Sequence, residues 1–243
     1  MTMDTGIKVL IAGGGIFGTR ALRHSLESGY RTLVIDIDDS CCARSLCEKV
    51  ADDFSDIGPG EAGLITGKAV HETLRILSED PPDVIVPCIP GHLAGLVVAS
   101  AMEEHDVPFV KGSRKMIEVM SEVDPVLVFK SDLRNGLLVA SLMPPGGTCD
   151  PGCGQPEDYC PVSGLKKGRK MDAVLSEACS KTVDVSLVLT SHLMGSGVGC
   201  FDASQLIELI GTVVGSQGPL SVAVGTSCSC HGILSFFDVR HSS

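Results

Sequence analysis

The stretch KVLIAGGGIFGTRA, residues 8–21, decides the fold, because an apolar run leads directly into closely spaced glycines. It contains the pattern G-x-G-x-x-G at Gly13, Gly15 and Gly18. The spacing predicts a strand over 8–12 and a helix over 19–28. In such a unit the first glycine makes the tight turn, the second lets the backbone approach a pyrophosphate, and the third lets helix and strand pack closely. The helix N-terminus would then offer free N–H groups to the phosphate, and Ile16 and Phe17 in the turn are expected to bind the cofactor as well.

An acid at the end of the second strand strengthens this interpretation. A strand predicted over 31–37 carries Asp36, and an acid about 20 residues after the glycines can bond a ribose hydroxyl. Asp38 and Asp39 follow, and their charge would repel a 2′-phosphate, so we expect NAD rather than NADP. Two alternatives stay open here. The glycines could serve only tight packing, and the acids could only cap a helix near Ser40.

The turn resembles the NAD(P)-binding Rossmann domains. Gly13-Gly-Gly15-x-x-Gly18-x-Arg20-Ala21 is similar to the opening of the precorrin-2 dehydrogenases of the siroheme pathway and of the NAD-binding domains of potassium-transport regulators. The resemblance covers about the first 40 residues and implies a nucleotide-binding fold. In the siroheme family an Asn-Asp pair follows a later apolar strand. Here that strand runs into PCIPGH, residues 87–92, so that activity is not carried over.

The rest of the chain predicts an α/β fold with two parts. Alternating strands and helices up to residue 112 predict a Rossmann-like parallel sheet. Residues 113–243 are predicted to form a smaller α/β region with a cysteine-rich loop. We expect the dinucleotide-binding domain to span 1–112 and a cysteine-rich metal-binding domain to span 113–243. The further predicted helices are 66–78, 92–104, 171–179 and 203–214, and the further predicted strands are 83–87, 107–110, 126–130, 137–142, 183–190 and 220–225.

Composition limits the partners. The formal net charge is −11, aromatic residues make up 4% of the chain and Trp is absent, so we expect no nucleic-acid binding. No basic stretch precedes an apolar run at the N-terminus, and the longest apolar windows are interrupted, so we expect a cytoplasmic protein that does not enter a membrane. The expected partner is a small-molecule substrate or a redox partner, and a homodimer stays open.

Eleven cysteines in such a chain point to metal or redox chemistry. Residues 149–161 contain a C-x3-C-x6-C-P run, and a second group reads CSCHG at 228–232. Thiolates suit iron–sulfur clusters and zinc. We expect a 4Fe–4S cluster, with zinc as the alternative and disulfides or free thiols as the simplest explanation. The expected metal ligands are Cys149, Cys153, Cys160 and either Cys228 or Cys230.

Four further side chains are candidates for catalysis. Cys88 and His92 follow the predicted strand 83–87, where ligands bind in open α/β sheets, and could face the nicotinamide. A loop cysteine and a helix-start histidine are the simpler explanation. His192 follows the strand 183–190 and could act as an acid or base. His231 adjoins Cys230 and could lower the pKa of a thiol.

These observations lead to three functional hypotheses. The first is an NAD-binding redox protein with a cysteine-ligated 4Fe–4S cluster, acting as an oxidoreductase on a small substrate. The second is a non-enzymatic sensor of nucleotide, redox or metal state, or a metal carrier. The third and weakest is iron–sulfur-dependent sulfur transfer.

Overall fold

The structure is a computed structural model that describes residues 6–112, 114–144, 147, 153, 156–195 and 197–240. These residues form two mixed sheets and six α-helices, which confirms the predicted α/β class. The helices are α1 (Ile16–Glu27), α2 (Ala69–Glu79), α3 (Leu93–Glu104), α4 (Arg114–Glu122), α5 (Met171–Ser180) and α6 (Ala203–Val214). The strands are β1 (Lys8–Ala12), β2 (Arg31–Asp36), β3 (Lys49–Val50), β4 (Ala62–Thr66), β5 (Val84–Pro87), β6 (Phe109–Lys111), β7 (Val128–Asp132), β8 (Leu137–Ser141), β9 (Val185–Thr190), β10 (His192–Met194), β11 (Val198–Asp202), β12 (Leu220–Ser227) and β13 (His231–Val239).

The chain divides into two compact units. The first comprises the described residues of Met1–Ser100 together with His192–Ile207, and the second those of Ala101–Ser191 and Glu208–Ser243. The prediction of a single boundary at residue 112 did not include the return of the chain to the first unit. That return depends on strand pairing between residues distant in sequence, which local patterns do not reveal.

The first unit is built on a seven-stranded sheet in the order β10-β11-β5-β1-β2-β4-β3. Its five strands from β5 to β3 are mutually parallel. Strand β11 pairs antiparallel with β5, and β10 pairs antiparallel with β11, so the predicted all-parallel sheet is mixed at this edge. Strand order reverses between β1 and β5, because β2 lies on one side of β1 and β5 on the other. In open α/β sheets such a switch point is where ligands bind.

The parallel strands are buried on both faces, which explains why they read as continuous apolar runs. The central residues of β1 and β2 are fully buried. A core cluster of the first unit includes residues of β1, α1 and β4 and also Met194, Val198 and Cys200 from the returning strands. The sequence predicted β1, β2 and β5 to within one residue, whereas β4 was missed because its last residue was assigned to the helix that became α2.

The second unit contains a six-stranded sheet in the order β7-β8-β13-β12-β9, with β6 pairing to β13. The predicted hairpin of β7 and β8 is confirmed. The long final strand β13 runs antiparallel to β12 and carries both β8 and β6 on its other side. Helices α4 and α5 bury Met116, Val119 and Leu175 in the core of this unit.

No helix among the described residues is both long and apolar enough to cross a bilayer.

Candidate functional site

The glycine turn occupies the space between β1 and α1, and two of its glycines are required by close backbone approach. Gly13 has φ +112°, a conformation that side chains rarely adopt, and a Cβ there would lie 2.6 Å from the carbonyl oxygen of Cys88. A Cβ on Gly18 would collide with the carbonyl oxygen of Gly13. The turn and the first turn of the helix therefore pack directly against each other.

Gly15 differs from both, because a Cβ built on it would meet no atom within 4 Å. Its φ of −72° is open to any residue, so neither backbone conformation nor packing requires a glycine. Gly15 is the N-cap of α1, where it has no side chain to cap the helix. The N–H groups of Ile16 and Phe17 in the first turn have no intrahelical acceptor, and both side chains are exposed. The open space above Gly15 thus lies at a helix N-terminus that favours an anion.

Asp36 lies where β2 ends, beside the same turn. Its carboxylate accepts a hydrogen bond from the N–H of Gly14 at 2.6 Å and one from the N–H of Asp38 at 3.0 Å. A carboxylate offers about four acceptor positions, so these two bonds orient Asp36 and leave it able to accept from a ligand hydroxyl. The sequence prediction placed Asp36 near the glycines, and the structure brings them into contact.

A pocket of about 440 Å³ adjoins the turn at the switch point of the sheet. Its lining comes from three parts of the first unit: the start of α1, the end of β5 with the residues that follow it, and the start of β11 with the residue before it. The lining is apolar except for one thiol and backbone groups, and consists of Phe17, Pro87, Cys88, Ile89, Pro90, Gly197, Val198 and Gly199.

Of the predicted catalytic residues, Cys88 lines this pocket and His92 does not. Burial raises the pKa of the Cys88 thiol to about 12, so it is a neutral thiol near pH 7. Burial lowers the pKa of His92 to about 4, and its side chain is 4% exposed. His92 is therefore a neutral core histidine and not a side chain that faces the pocket. His192 is exposed at the start of β10, opposite Cys200, and does not line the pocket either.

The second unit gathers several of the predicted sulfur residues. Cys228 and Cys230 belong to the connection between β12 and β13, and His231 is the first residue of β13. The Sγ of Cys228 lies 3.0 Å from Nδ1 of His231. Cys160 and Cys230 pack against the same apolar core.

A metal cluster is not supported by the described residues. Cys149 lies outside them, and within the described ranges no group of three or more Cys, His, Asp or Glu side chains could hold a metal ion. Cys228 uses its sulfur instead to contact His231 and the backbone N–H of Cys230. The remaining predicted ligands do not form a coordination sphere, and the 4Fe–4S cluster stays a prediction, as does the zinc alternative.

The sequence did not identify the rest of the pocket. Pro87 ends β5, and Ile89 and Pro90 follow it, so these residues could have been inferred from their place at a strand end. Gly197 to Gly199 were predicted only as part of a turn between a strand and a helix. Val198 and Gly199 instead lie in β11, which pairs with the distant strand β5 through its last two residues.

Comparison with known proteins gives a family for the whole chain. Residues 8–93 match a family model described as "Uncharacterized protein, N-terminal domain", and residues 94–240 match one described as "Uncharacterized protein, C-terminal domain". The second model covers more than half of the chain, and the chain belongs to the family that these two domains define. No curated protein and no solved structure matches it.

Proposed function

We propose that the first unit binds NAD at the glycine turn and that the protein is an NAD-linked redox protein. The observation that carries the proposal is the contrast between the turn glycines. Gly13 and Gly18 are needed for packing, whereas Gly15 faces open space at the N-terminus of α1. A glycine that packing does not require, at a site where a phosphate would be held, is accounted for by the close approach of a ligand.

The residues present fit the cofactor. Gly15, Ile16 and Phe17 would hold the pyrophosphate through their backbone N–H groups. Asp36, oriented by Gly14, would accept hydrogen bonds from the adenosine ribose, and its charge favours NAD over NADP. When bound, the nicotinamide supplies hydride exchange. The apolar pocket beside Phe17 would exclude water from a small substrate.

The test is a calorimetric titration of the full chain with NAD and with NADP. We expect NAD to bind more tightly than NADP, and Gly15→Val to weaken NAD binding at least tenfold, on the order of 1.4 kcal/mol. Gly168→Val is the matched control, because a Cβ there also meets no atom within 4 Å and it lies in the second unit. Equal affinity in the two variants, or no NAD binding by the unaltered protein, would contradict the proposal.

One observation favours a second candidate, a protein that binds the nucleotide without turnover. The pocket lining offers Cys88 as its one titratable side chain, and burial keeps that thiol neutral with a pKa of about 12. Proton transfer during catalysis would need a group with a pKa near the working pH. NAD binding with no oxidation of NADH by a panel of small acceptors would favour this sensor-like role over the redox enzyme.

A further inference from the structure

The turn that joins β12 to β13 in the second unit is held in one conformation by its own backbone. The N–H of Cys228 donates to the carbonyl oxygen of His231 at 2.9 Å, and the buried Ser227 hydroxyl donates to the same oxygen at 3.0 Å. The next residue, Gly232, sits so close that a Cβ would lie 2.6 Å from the Ser227 hydroxyl. These contacts fix the directions of the Cys228 and His231 side chains.

Neighbouring segments of the second unit hold the outer side of the turn. The N–H of Leu142 donates to the carbonyl oxygen of Cys230 at 3.0 Å. The N–H of Met171 donates to the carbonyl oxygen of Ser229 at 3.2 Å. The turn is therefore supported from the end of β8 and from the start of α5. Such support keeps reacting groups in position without a conformational change.

Within this frame a thiol and an imidazole are paired. The Sγ of Cys228 lies 3.0 Å from Nδ1 of His231, and the N–H of Cys230 points at the same sulfur from 3.5 Å. Burial raises the pKa of the Cys228 thiol, but the hydrogen bond and charge of the His231 side chain, together with the backbone N–H groups of Cys230 and His231, lower it below its ordinary value. The hydrogen bond to Cys228 in turn raises the pKa of His231. Both effects favour a thiolate beside an imidazolium.

Cys160 is a further titratable group, among the described residues, that acts on His231. Its thiol also favours the protonated form of His231, and although burial raises its pKa, hydrogen bonds from Ser163 and the charge of Lys167 lower it. The Nζ of Lys167 is buried and has no hydrogen-bond partner among the described residues. The surroundings therefore carry positive charge that stabilises thiolates.

We propose that Cys228 is a nucleophile for thiol–disulfide exchange with a small disulfide, with His231 as its charge partner and Cys230 as the resolving thiol. A second thiol two residues away, whose backbone already contacts the first sulfur, distinguishes this site from a buried structural cysteine. The site lies in the second unit and does not depend on the glycine turn.

The reaction balances without a further oxidant. The Cys228 thiolate attacks one sulfur of a disulfide RSSR, a bond forms between Cys228 and that sulfur, and RS⁻ leaves and takes a proton. The Cys230 thiolate then attacks the Cys228 sulfur, so the protein disulfide forms and the second RS⁻ leaves. The protein loses two electrons and RSSR gains them, and a small dithiol would reverse both steps.

The first experiment measures the pH dependence of alkylation by iodoacetamide in the full, reduced chain, with each cysteine quantified by peptide mass spectrometry. We expect the Cys228 rate to reach half its plateau at a pH below the ordinary thiol value near 8.5, and we expect His231→Gln to move this midpoint up toward that value. Limited access of iodoacetamide to a buried thiol lowers the alkylation rate by the same factor at every pH. It therefore does not move the midpoint of the pH profile. The exposed Cys42 reports whether the reagent is active at each pH.

An ordinary midpoint, a midpoint that His231→Gln leaves unchanged in a folded variant, or no alkylation of Cys228 at any pH would overturn the proposal. If His231→Gln does not fold, the midpoint of the alkylation profile of Cys228 in the unaltered protein still tests the proposal.

The second experiment uses glutathione disulfide as the probe. The unaltered chain should form a Cys228–Cys230 bond with a loss of two hydrogens, whereas Cys230→Ser should accumulate glutathione on Cys228. Cys160→Ser is the control and should still form the bond. A bond from Cys228 to Cys160, or glutathione found on Cys42 as readily as on Cys228, would overturn the assigned roles.

Discussion

At the scale of single residues, environment decides what each candidate side chain can do. Cys88 and Cys228 are both largely buried thiols, yet burial alone governs the first and a histidine contact governs the second. The two histidines also differ in their surroundings. Burial lowers the pKa of His92, whereas the hydrogen bond to a thiol raises the pKa of His231. Sequence identifies such residues but not their surroundings, because the contacts that shift their pKa values form only in the fold.

The buried His92 predicts a pH-dependent stability. Burial lowers its pKa from 6.5 to about 4, so the folded chain keeps it neutral while the unfolded chain takes up a proton below pH 6.5. This contribution to stability is fully present above pH 6.5 and is lost as pH falls toward 4. The difference corresponds to about 3 kcal/mol, since each pKa unit is worth about 1.4 kcal/mol.

We expect His92→Gln to flatten the dependence of the free energy of unfolding on pH between 7 and 4, as measured by urea titration at several pH values. His105→Gln, on an exposed position, should keep the original slope. If both variants retain the same slope as the unaltered protein, His92 does not titrate as described.

At the scale of elements, the β1–α1–β2 unit is where sequence and structure agree most closely. The sequence features that predict it are local: an apolar run, three glycines at fixed spacing and an acid at the end of the next strand. Elements defined by distant pairing were missed. Strand β13 begins at His231, which was predicted as a catalytic candidate beside a cysteine and not as the start of a strand, and β10 and β11 were interpreted as a turn. Helix α4 was also missed, although Met116 and Val119 are spaced for one buried face.

Close packing between the glycine turn and α1 gives a second stability prediction. Gly18→Ala should lower the free energy of unfolding by about 1–3 kcal/mol, because its Cβ meets the backbone oxygen of Gly13 and the helix must move. Gly211→Ala in α6 is the matched helical control, since a Cβ there meets no atom within 4 Å. This control should be neutral or stabilising by up to about 1 kcal/mol. Urea unfolding measures both, and equal effects would argue against the close approach.

At the scale of the whole molecule, the two proposed sites belong to different units. The nucleotide site proposed for the first unit depends on β1, α1 and β2, whereas the proposed thiol site depends on the turn after β12. Each site is assembled within one unit. Function in one can therefore be removed while the other is measured.

Ligand-dependent hydrogen exchange tests this separation. At NAD concentrations about one hundred times the dissociation constant, binding should stabilise the first unit by about 2.7 kcal/mol. Amides of β1, α1 and β2 should exchange more slowly, and those of β12 and β13 should change less. An equal slowing in both sheets would show that the units unfold together.

The pairing of β11 with β5 has a consequence for how the chain is made. Phe201 pairs with Ile85, so the ribosome must synthesise Ala101–Ser191 before the edge of the first sheet can be covered. Until then the nascent chain holds β5 with one row of backbone groups unpaired, which is a site where strands of other chains can add. The vulnerable period in biogenesis is therefore set by how quickly the intervening segment emerges and folds.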